Sequence, residues 1–309
     1  MKYPCVSVVI PTYNRISMLE EALQSILSQE FNGTVEAIVI DDNSQDNTSE
    51  IISHKYPEVN LISLKQNGGA AAARNRGLSV AKGRYIAFLD SDDLWEKNYL
   101  QTQLSALEAK DKCFSVSNIV VWNTVKNEKQ IRVLKPDLEK YTSALHHMMV
   151  GNFIHIPSCV VFPRQVLQDV GLFDERIKRG EDADFYARCL IANYTPIFTN
   201  QPLAIQRKHD RGQSTDVKNQ EERINNRLFI IDKNYPLIEK KGCLNVSQNR
   251  LCGDVYKKYA QLYLKQKNIR QWLRCSKKLA DYTSWGYTLS NIKNDLQDKI
   301  RSKLTFSRV

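Results

Sequence analysis

Three carboxylates crowd into four residues at the end of YIAFLDSDD, residues 85–93. Asp90, Asp92 and Asp93 follow an apolar run directly, so the chain delivers them together from the end of a buried strand. Like charges this close repel unless a counter-charge sits among them. A hard cation such as Mg²⁺ or Mn²⁺ takes carboxylate oxygens, and Mg²⁺ shares its other positions with water and phosphate. An Asp-x-Asp at a strand end can offer one side chain to a metal and the other to a sugar hydroxyl. The plainer reading is a turn in which Asp92 or Asp93 caps a following helix. A second acidic group, Glu181, Asp182 and Asp184, opens the stretch GEDADFYARC. There the spacing predicts a helix with Phe185, Cys189 and Leu190 inward, and the dipole of a first helical turn favours acids by itself.

The elements that must position these groups follow from the apolar periodicity. Val6–Ile10, Val35–Ile40, Val59–Leu64 and Tyr85–Leu89 are short β-branched or apolar runs suited to strands buried on both faces. Between them lie helical stretches: one from a Ser17 cap to Gln29, one from Ser44 or Asp46 to His54, and a small-residue helix after Gly68–Gly69 that Gly83 stops. Strands alternating with helices of this length predict right-handed crossovers and a parallel sheet covered on both faces. Ligands of such sheets sit at the carboxyl ends of the strands. The polar clusters fall there each time: Pro11-Thr12-Tyr13-Asn14-Arg15, Asp41-Asp42-Asn43-Ser44, Lys65-Gln66-Asn67-Gly68-Gly69 and Asp90-Ser91-Asp92-Asp93.

The five blocks VSVVIPTYNR, VIDDNSQDNT, NGGAAAARNRG, YIAFLDSDD and RGEDADF occur in this order over about residues 5–210. Together they resemble the family 2 inverting glycosyltransferases. The resemblance implies an α/β GT-A fold, Rossmann-like, with a mostly parallel mixed sheet, helices on both faces and a helical C-terminal extension. It implies a nucleotide-sugar donor, a UDP-sugar by expectation, with Mn²⁺ or Mg²⁺ as cofactor. The acceptor would be a glycan or lipid-linked glycan, in cell-surface polysaccharide synthesis. By resemblance, Pro11, Thr12, Tyr13 and Arg15 hold the nucleotide base, Asp41 accepts from its imide N–H, and Asp42 is a further candidate. Asn67, Gly68 and Gly69 let the backbone approach the nucleotide, and Arg74 supplies a cation near it. Asp90 and Ser91 lie near ribose or donor sugar, and Asp92 is the metal ligand. Asp93 would cap a helix or support its neighbours. Asp182 would be the general base of transfer, with Glu181 orienting it or binding acceptor. His209 in QRKHDRGQST would reach the metal or the diphosphate, and Gly212, Gln213 and Ser214 would let that loop close. His146, His147 and His155 lack ligand partners and read as structural.

Bulk composition sets the frame. The chain has 309 residues, 42% hydrophobic and 25% charged, enough for a catalytic domain plus an extension. Its N-terminus reads as neither signal peptide nor membrane span, which predicts a cytoplasmic protein. Seven scattered cysteines without a CxxC pair fit reduced thiols, with no zinc site. The formal charge of +10 is uneven: residues 1–216 carry 24 basic against 26 acidic side chains, and residues 217–309 carry 20 against 8. That break predicts a catalytic domain over 1–216, in a nucleotide-sugar half (1–95) and an acceptor half (96–216), and a basic helical extension over 217–309.

In the extension, Val255, Tyr259 and Leu262 share one predicted helical face, and Ile292, Leu296, Ile300 and Leu304 another. Aromatic residues among the lysines and arginines suit an anionic membrane surface at the inner face of the cell membrane, or simply solvated helix faces. No nucleic-acid signature is present. Rival readings are a sugar-phosphate nucleotidyltransferase, which needs a Gly-rich loop that PTYNRISM lacks, and a non-catalytic nucleotide- or glycan-binding relative.

Overall fold

The computed structural model describes residues 5–108, 110–209 and 220–306. The expected closing loop at Gly212, Gln213 and Ser214 lies outside the described residues, as do the side chains of Leu296, Ile300 and Leu304. The chain forms two compact units, residues 1–136 with 153–216, and residues 137–152 with 217–309.

The first unit opens with β1 (Val6–Thr12), α1 (Ile16–Leu27), β2 (Val35–Asp41), α2 (Thr48–Lys55), β3 (Asn60–Ser63), α3 (Gly69–Val80) and β4 (Tyr85–Phe88). β1 pairs in parallel with β2 and β4, and β2 with β3. Val8, Val9 and Ile10 are fully buried, as are Ile38, Val39 and Ile40, because helices cover both faces. Gly77 seats α3 against β1: a Cβ there would strike Val9 Cγ1.

The rest of the sheet is mixed. β5 (Leu94–Trp95), α4 (Tyr99–Ser105), β6 (Cys113–Asn123) and β7 (Glu128–Arg132) lead to a helix of the second unit, α5 (Ala144–Val150). β8 (Val160–Pro163), α6 (Gln165–Val170), α7 (Glu181–Ile191) and β9 (Thr195–Lys208) complete the unit. The strand order is β3-β2-β1-β4-β8-β6-β9-β5, with β7 on β6. β8 runs antiparallel to β4 and β6, and β6 and β9 are parallel. The order reverses at β1, which lies between β2 and β4. A crevice therefore opens at their carboxyl ends, at Thr12, Asp41 and Asp90.

Two local expectations are corrected. α1 starts at Ile16 after Arg15, not at a Ser17 cap; Asp46 Oδ2 accepts the Ile16 amide at 3.3 Å. No helix follows Asp93, so neither Asp92 nor Asp93 is a helix cap; β5 comes next.

Among the described residues the second unit holds α5, α8 (Gln220–Lys241), α9 (Gln248–Lys265), α10 (Ile269–Tyr282) and α11 (Trp285–Phe306). Ser247 caps α9 and Asn268 caps α10 through their side chains. The buried face of α9 is Leu251, Cys252, Val255, Ala260, Tyr263 and Leu264. Leu262 is exposed, which corrects its expected place beside Val255. His146 is structural as expected, its Nε2 meeting Asp254 Oδ2 at 3.0 Å. All seven cysteines are free. No helix among the described residues is long and apolar enough to cross a membrane.

Candidate active site

The loops after β1 and β2 are stitched together. Asn14 Oδ1 accepts the Gln45 amide at 2.6 Å, and Ser44 Oγ accepts the Asn14 amide at 2.9 Å. Asn14 and Asn43 take positive φ (51° and 64°), a conformation that asparagine tolerates better than most side chains. Asp41 is buried at the end of β2 and accepts from Ser44 N at 3.0 Å and Ser49 Oγ at 2.7 Å. Asp42 is also buried, and its two oxygens take the Gly68 and Gly69 amides, each at 2.8 Å. Asn67 donates to the Asp42 carbonyl at 3.2 Å. Asp42 thus organises the glycine loop from the neighbouring strand. Gly69 needs its lack of a Cβ, with φ at 83°. A recess of about 730 Å³ opens here, lined by Lys65, Asn67, Gly68, Ala72 and Arg176 among others.

Around β1, Thr12 is buried with its Oγ1 unpartnered, while Tyr13 is 45% exposed. Pro11 pairs with Ile40 in the ladder, and Arg15 leaves the strand end toward the acidic cluster.

The acidic cluster is partly neutralised from within. Arg15 Nη1 lies 2.7 Å from Asp92 Oδ2, and His209 Nε2 approaches the same oxygen at 3.2 Å. Asp90 Oδ1 is 2.7 Å from Arg74 Nη2, and its amide donates to Ser158 Oγ at 3.1 Å. Asp93 is buried, accepting from Ser158 Oγ at 2.6 Å and from the Arg207 amide at 3.3 Å. Burial pushes the Asp93 carboxyl well above the usual range, and Asp92 and Asp90 push it further. Asp90 is raised too, by burial first, although Arg74 pulls it back. Ser91 is buried in the turn between them.

Arg74 joins the two acidic groups. Its Nη1 meets Glu181 Oε1 at 2.7 Å while Nη2 holds Asp90, and its guanidinium lies 5.6 Å from the Phe173 ring centroid. Burial disfavours its charge, yet Asp90 and Glu181 hold its pKa above the ordinary value. Gly180 turns the chain into α7 with φ at 87°. Glu181 then lies at the helix start, half-buried, and Asp182 beside it is 9% exposed. Asp184 is fully buried and paired with Arg188 at 2.9 Å, so it is an internal ion pair as well as a helix-start acid.

Two further residues, Arg207 and Ser158, support the cluster. Arg207 is buried and donates to the Asp92 carbonyl at 2.5 Å, to the Met18 carbonyl at 3.0 Å and to Glu21. Ser158 serves both Asp90 and Asp93. Arg207 stands in the QRKHDRGQST stretch two residues before His209, Ser158 stands outside the five blocks, and only the folded sheet brings both to the cluster.

Among the described residues, no group of three or more His, Cys, Asp or Glu side chains is disposed to hold a metal ion. The Asp92–His209 pair offers one hard oxygen and one imidazole nitrogen. The carboxylate oxygen suits a hard ion such as Mn²⁺ or Mg²⁺ that draws its other ligands from diphosphate and water; the imidazole nitrogen suits Mn²⁺ better than Mg²⁺.

Comparison with known proteins identifies the fold and the family. Over 99% of both chains, this protein is 29% identical to the amylovoran biosynthesis glycosyltransferase AmsB of Erwinia amylovora. It is 42% identical over 118 residues to the UDP-Glc:alpha-D-GlcNAc-diphosphoundecaprenol beta-1,3-glucosyltransferase WfaP of Escherichia coli, a match covering 38% of this chain and 46% of that one. Among solved structures, TarS 1-349 of S. aureus in complex with UDP-GlcNAc superposes with a TM-score of 0.63 at 19% identity, over 90% of this chain and 81% of that one. The fold is therefore that of the GT-A glycosyltransferases. The family model for Glycosyl transferase family 2 matches residues 7–171, more than half the chain, running from β1 past the acidic cluster of Asp90, Asp92 and Asp93. On that match this chain belongs to glycosyl transferase family 2 and is a glycosyltransferase.

Proposed function

We propose that the protein transfers a sugar from a UDP-sugar to a hydroxyl of a glycan or lipid-linked glycan, with inversion at the anomeric carbon, during polysaccharide assembly. The observation that carries this reading is the double ion pair of Arg74, which ties Asp90 at a strand end to Glu181 beside Asp182. One cation thus couples a donor-side carboxylate to the helix start that would serve the acceptor. The names of WfaP and AmsB support a UDP-sugar donor, a lipid-linked acceptor and polymer synthesis.

Asp92 and His209 would hold Mn²⁺ or Mg²⁺. When bound, the ion neutralises diphosphate charge as the leaving group departs. The residues of the chain do the rest. Pro11, Thr12 and Tyr13 bound the base side with Asp41, while Arg15, paired with Asp92 at 2.7 Å, serves the diphosphate side instead. Asp42 shapes the Asn67–Gly69 loop that the nucleotide meets. Asp90 and Ser91 face ribose or donor sugar, and Arg74 orients Asp90. Asp182 accepts the acceptor hydroxyl proton while that oxygen attacks the anomeric carbon and the bond to UDP breaks with its electron pair. Glu181, anchored by Arg74, orients the acceptor.

The second unit would rest on an anionic membrane surface. Its basic excess supports this, as do Trp285 (60% exposed), Leu289 (58%) and Leu273 (54%), which stand outward among lysines and arginines.

Calorimetry tests the donor and metal assignments together. UDP should bind more tightly with Mn²⁺ than with chelator, and Asp92→Asn should remove most of that difference. Equal affinity under both conditions overturns the metal assignment, and preference for GDP-, CMP- or dTDP-sugars overturns the choice of UDP.

A further inference from the structure

The hairpin of β6 and β7 presents a strand edge to the outside of the first unit. β7 pairs with β6 on one side, and among the described residues no strand lies on its other side. All five of its residues are exposed. The ribbon is held in shape from within. β6 pairs with β9 along Ile119–Asn123 on the side away from β7. At the turn, the Thr124 amide and Oγ1 each donate to the Lys208 carbonyl at 3.0 Å, and Trp122 Nε1 donates to Asn127 Oδ1 at 3.1 Å. An edge fixed in this way meets a partner with little ordering cost.

An apolar row runs off this edge. Leu94 faces Ile205, Ile205 faces Val120, and Val120 faces Ile131 in the ladders of β5, β9, β6 and β7. Paired residues share a face of the sheet, so the row ends in Ile131, which is 61% exposed. On the same face Lys129 holds its Nζ 4.8 Å from the Trp122 ring centroid, which turns the ammonium back over the ribbon and away from the edge.

Charges on an edge strand commonly keep other strands away. In β7 the order Glu128-Lys129-Gln130-Ile131-Arg132 instead selects among pairings with itself. A parallel in-register pair sets every charge against its own kind. An antiparallel pair centred on Lys129 sets Lys129 against itself and Lys126 against Arg132. One centred on Ile131 gives Glu128 no basic partner. Centred on Gln130, Glu128 of each copy faces Arg132 of the other, twice by symmetry. Each Ile131 then lies against the stem of Lys129 and diagonal to the other Ile131. We propose that β7 is a self-pairing surface: two copies of this chain join their sheets through antiparallel β7 strands about a two-fold axis at Gln130. Two short strands make a contact at the small end of specific interfaces, below roughly 1,200 Å², so the dimer is weak and reversible. The pairing uses neither the donor site nor the metal and is independent of the proposed transfer.

Sedimentation equilibrium of the full chain over a concentration series tests it. The parent should show reversible dimerisation that weakens as salt rises, because the charge pairs are exposed. Glu128→Arg and Arg132→Glu each place like charges opposite one another twice, and each should weaken association at least tenfold. Both positions are exposed, so the fold should survive either change. An equimolar mixture of the two variants sets arginine against glutamate at both positions and should recover dimerisation to within a few-fold of the parent. The Glu128→Arg/Arg132→Glu double variant should recover it alone. A parent that stays monomeric at millimolar concentration overturns the proposal. So does association that neither single variant weakens, which would put the interface elsewhere, and so does a mixture that associates no better than its components.

Discussion

Arg74 and Glu181 are 107 residues apart in the chain and 2.7 Å apart in space. The contact is made by a side chain only 4% exposed, whose second nitrogen holds Asp90. Removing it would leave two carboxylates facing each other in a poorly solvated place. Arg74→Met should destabilise the first unit by about 3 kcal/mol, toward the low end for a broken buried pair because Asp90 keeps some solvent contact. Arg74→Lys should recover part of the stability, since one ammonium cannot span both carboxylates as a planar fork does. Urea denaturation of the three proteins measures this, and equal midpoints would contradict it.

The two acids at the start of α7 should separate by role. Asp182→Asn keeps the shape and removes the base, so kcat should fall by about 10²–10⁴-fold with donor affinity little changed. Glu181→Gln should cost less. Single-turnover kinetics with saturating donor decides between them; the reverse ranking would move the base to Glu181, and no effect from either would make the pair a helix start only.

Lys258 gives a pH signature. Its pKa falls from about 10.5 in the unfolded chain to about 7 when folded, through burial first and then Arg227, Lys140 and Arg223. Below pH 7 the lysine is charged in both states and the folded state bears the full cost. The cost shrinks as pH rises from 7 to 10.5 and is gone above that. Lys258→Met should therefore stabilise the second unit at pH 6, by on the order of 2 kcal/mol after allowing for partial solvation. The gain should vanish near pH 10.5. Hydrogen exchange of the α9 amides across this range reads it directly.

Gly77 should tolerate no side chain. Gly77→Ala gains helix propensity but drives a methyl into Val9 on a strand held by its neighbours. A net loss of about 1–3 kcal/mol is expected from overpacking. Val9→Ala added to it should recover stability relative to the single Val9→Ala change. Thermal unfolding of the four proteins closes this cycle.

Local pattern announced the strand ends well, because each apolar run stops where polar residues begin. Val6–Ile10 and Tyr85–Leu89 read as strands, and the clusters after them do fall on one sheet edge. What sequence could not announce depends on approach in three dimensions. Asp93 looks like any turn acid until Ser158 and Arg207 are seen to enclose it. Arg74 reads, by resemblance, as a cation near the nucleotide, but its burial and its pairing with two distant acids leave no local trace. Leu262 fits a helical stripe by spacing, but α9 turns a slightly different face inward. The antiparallel entry of β8 beside β4 leaves no trace in a short apolar run.

The discontinuous second unit bears on how the chain is made. Residues 137–152 leave the ribosome well before 217–309, with 153–216 in between. Until then α5 has neither α8 nor α9 to cover Leu145, Met148 and Met149, which are buried in the finished protein. The nascent chain must carry this sticky helix through synthesis of β8, α7 and β9. A gene shortened at codon 216 would leave it so permanently, which makes such a fragment a poor stand-in for the catalytic half and a natural client for chaperones.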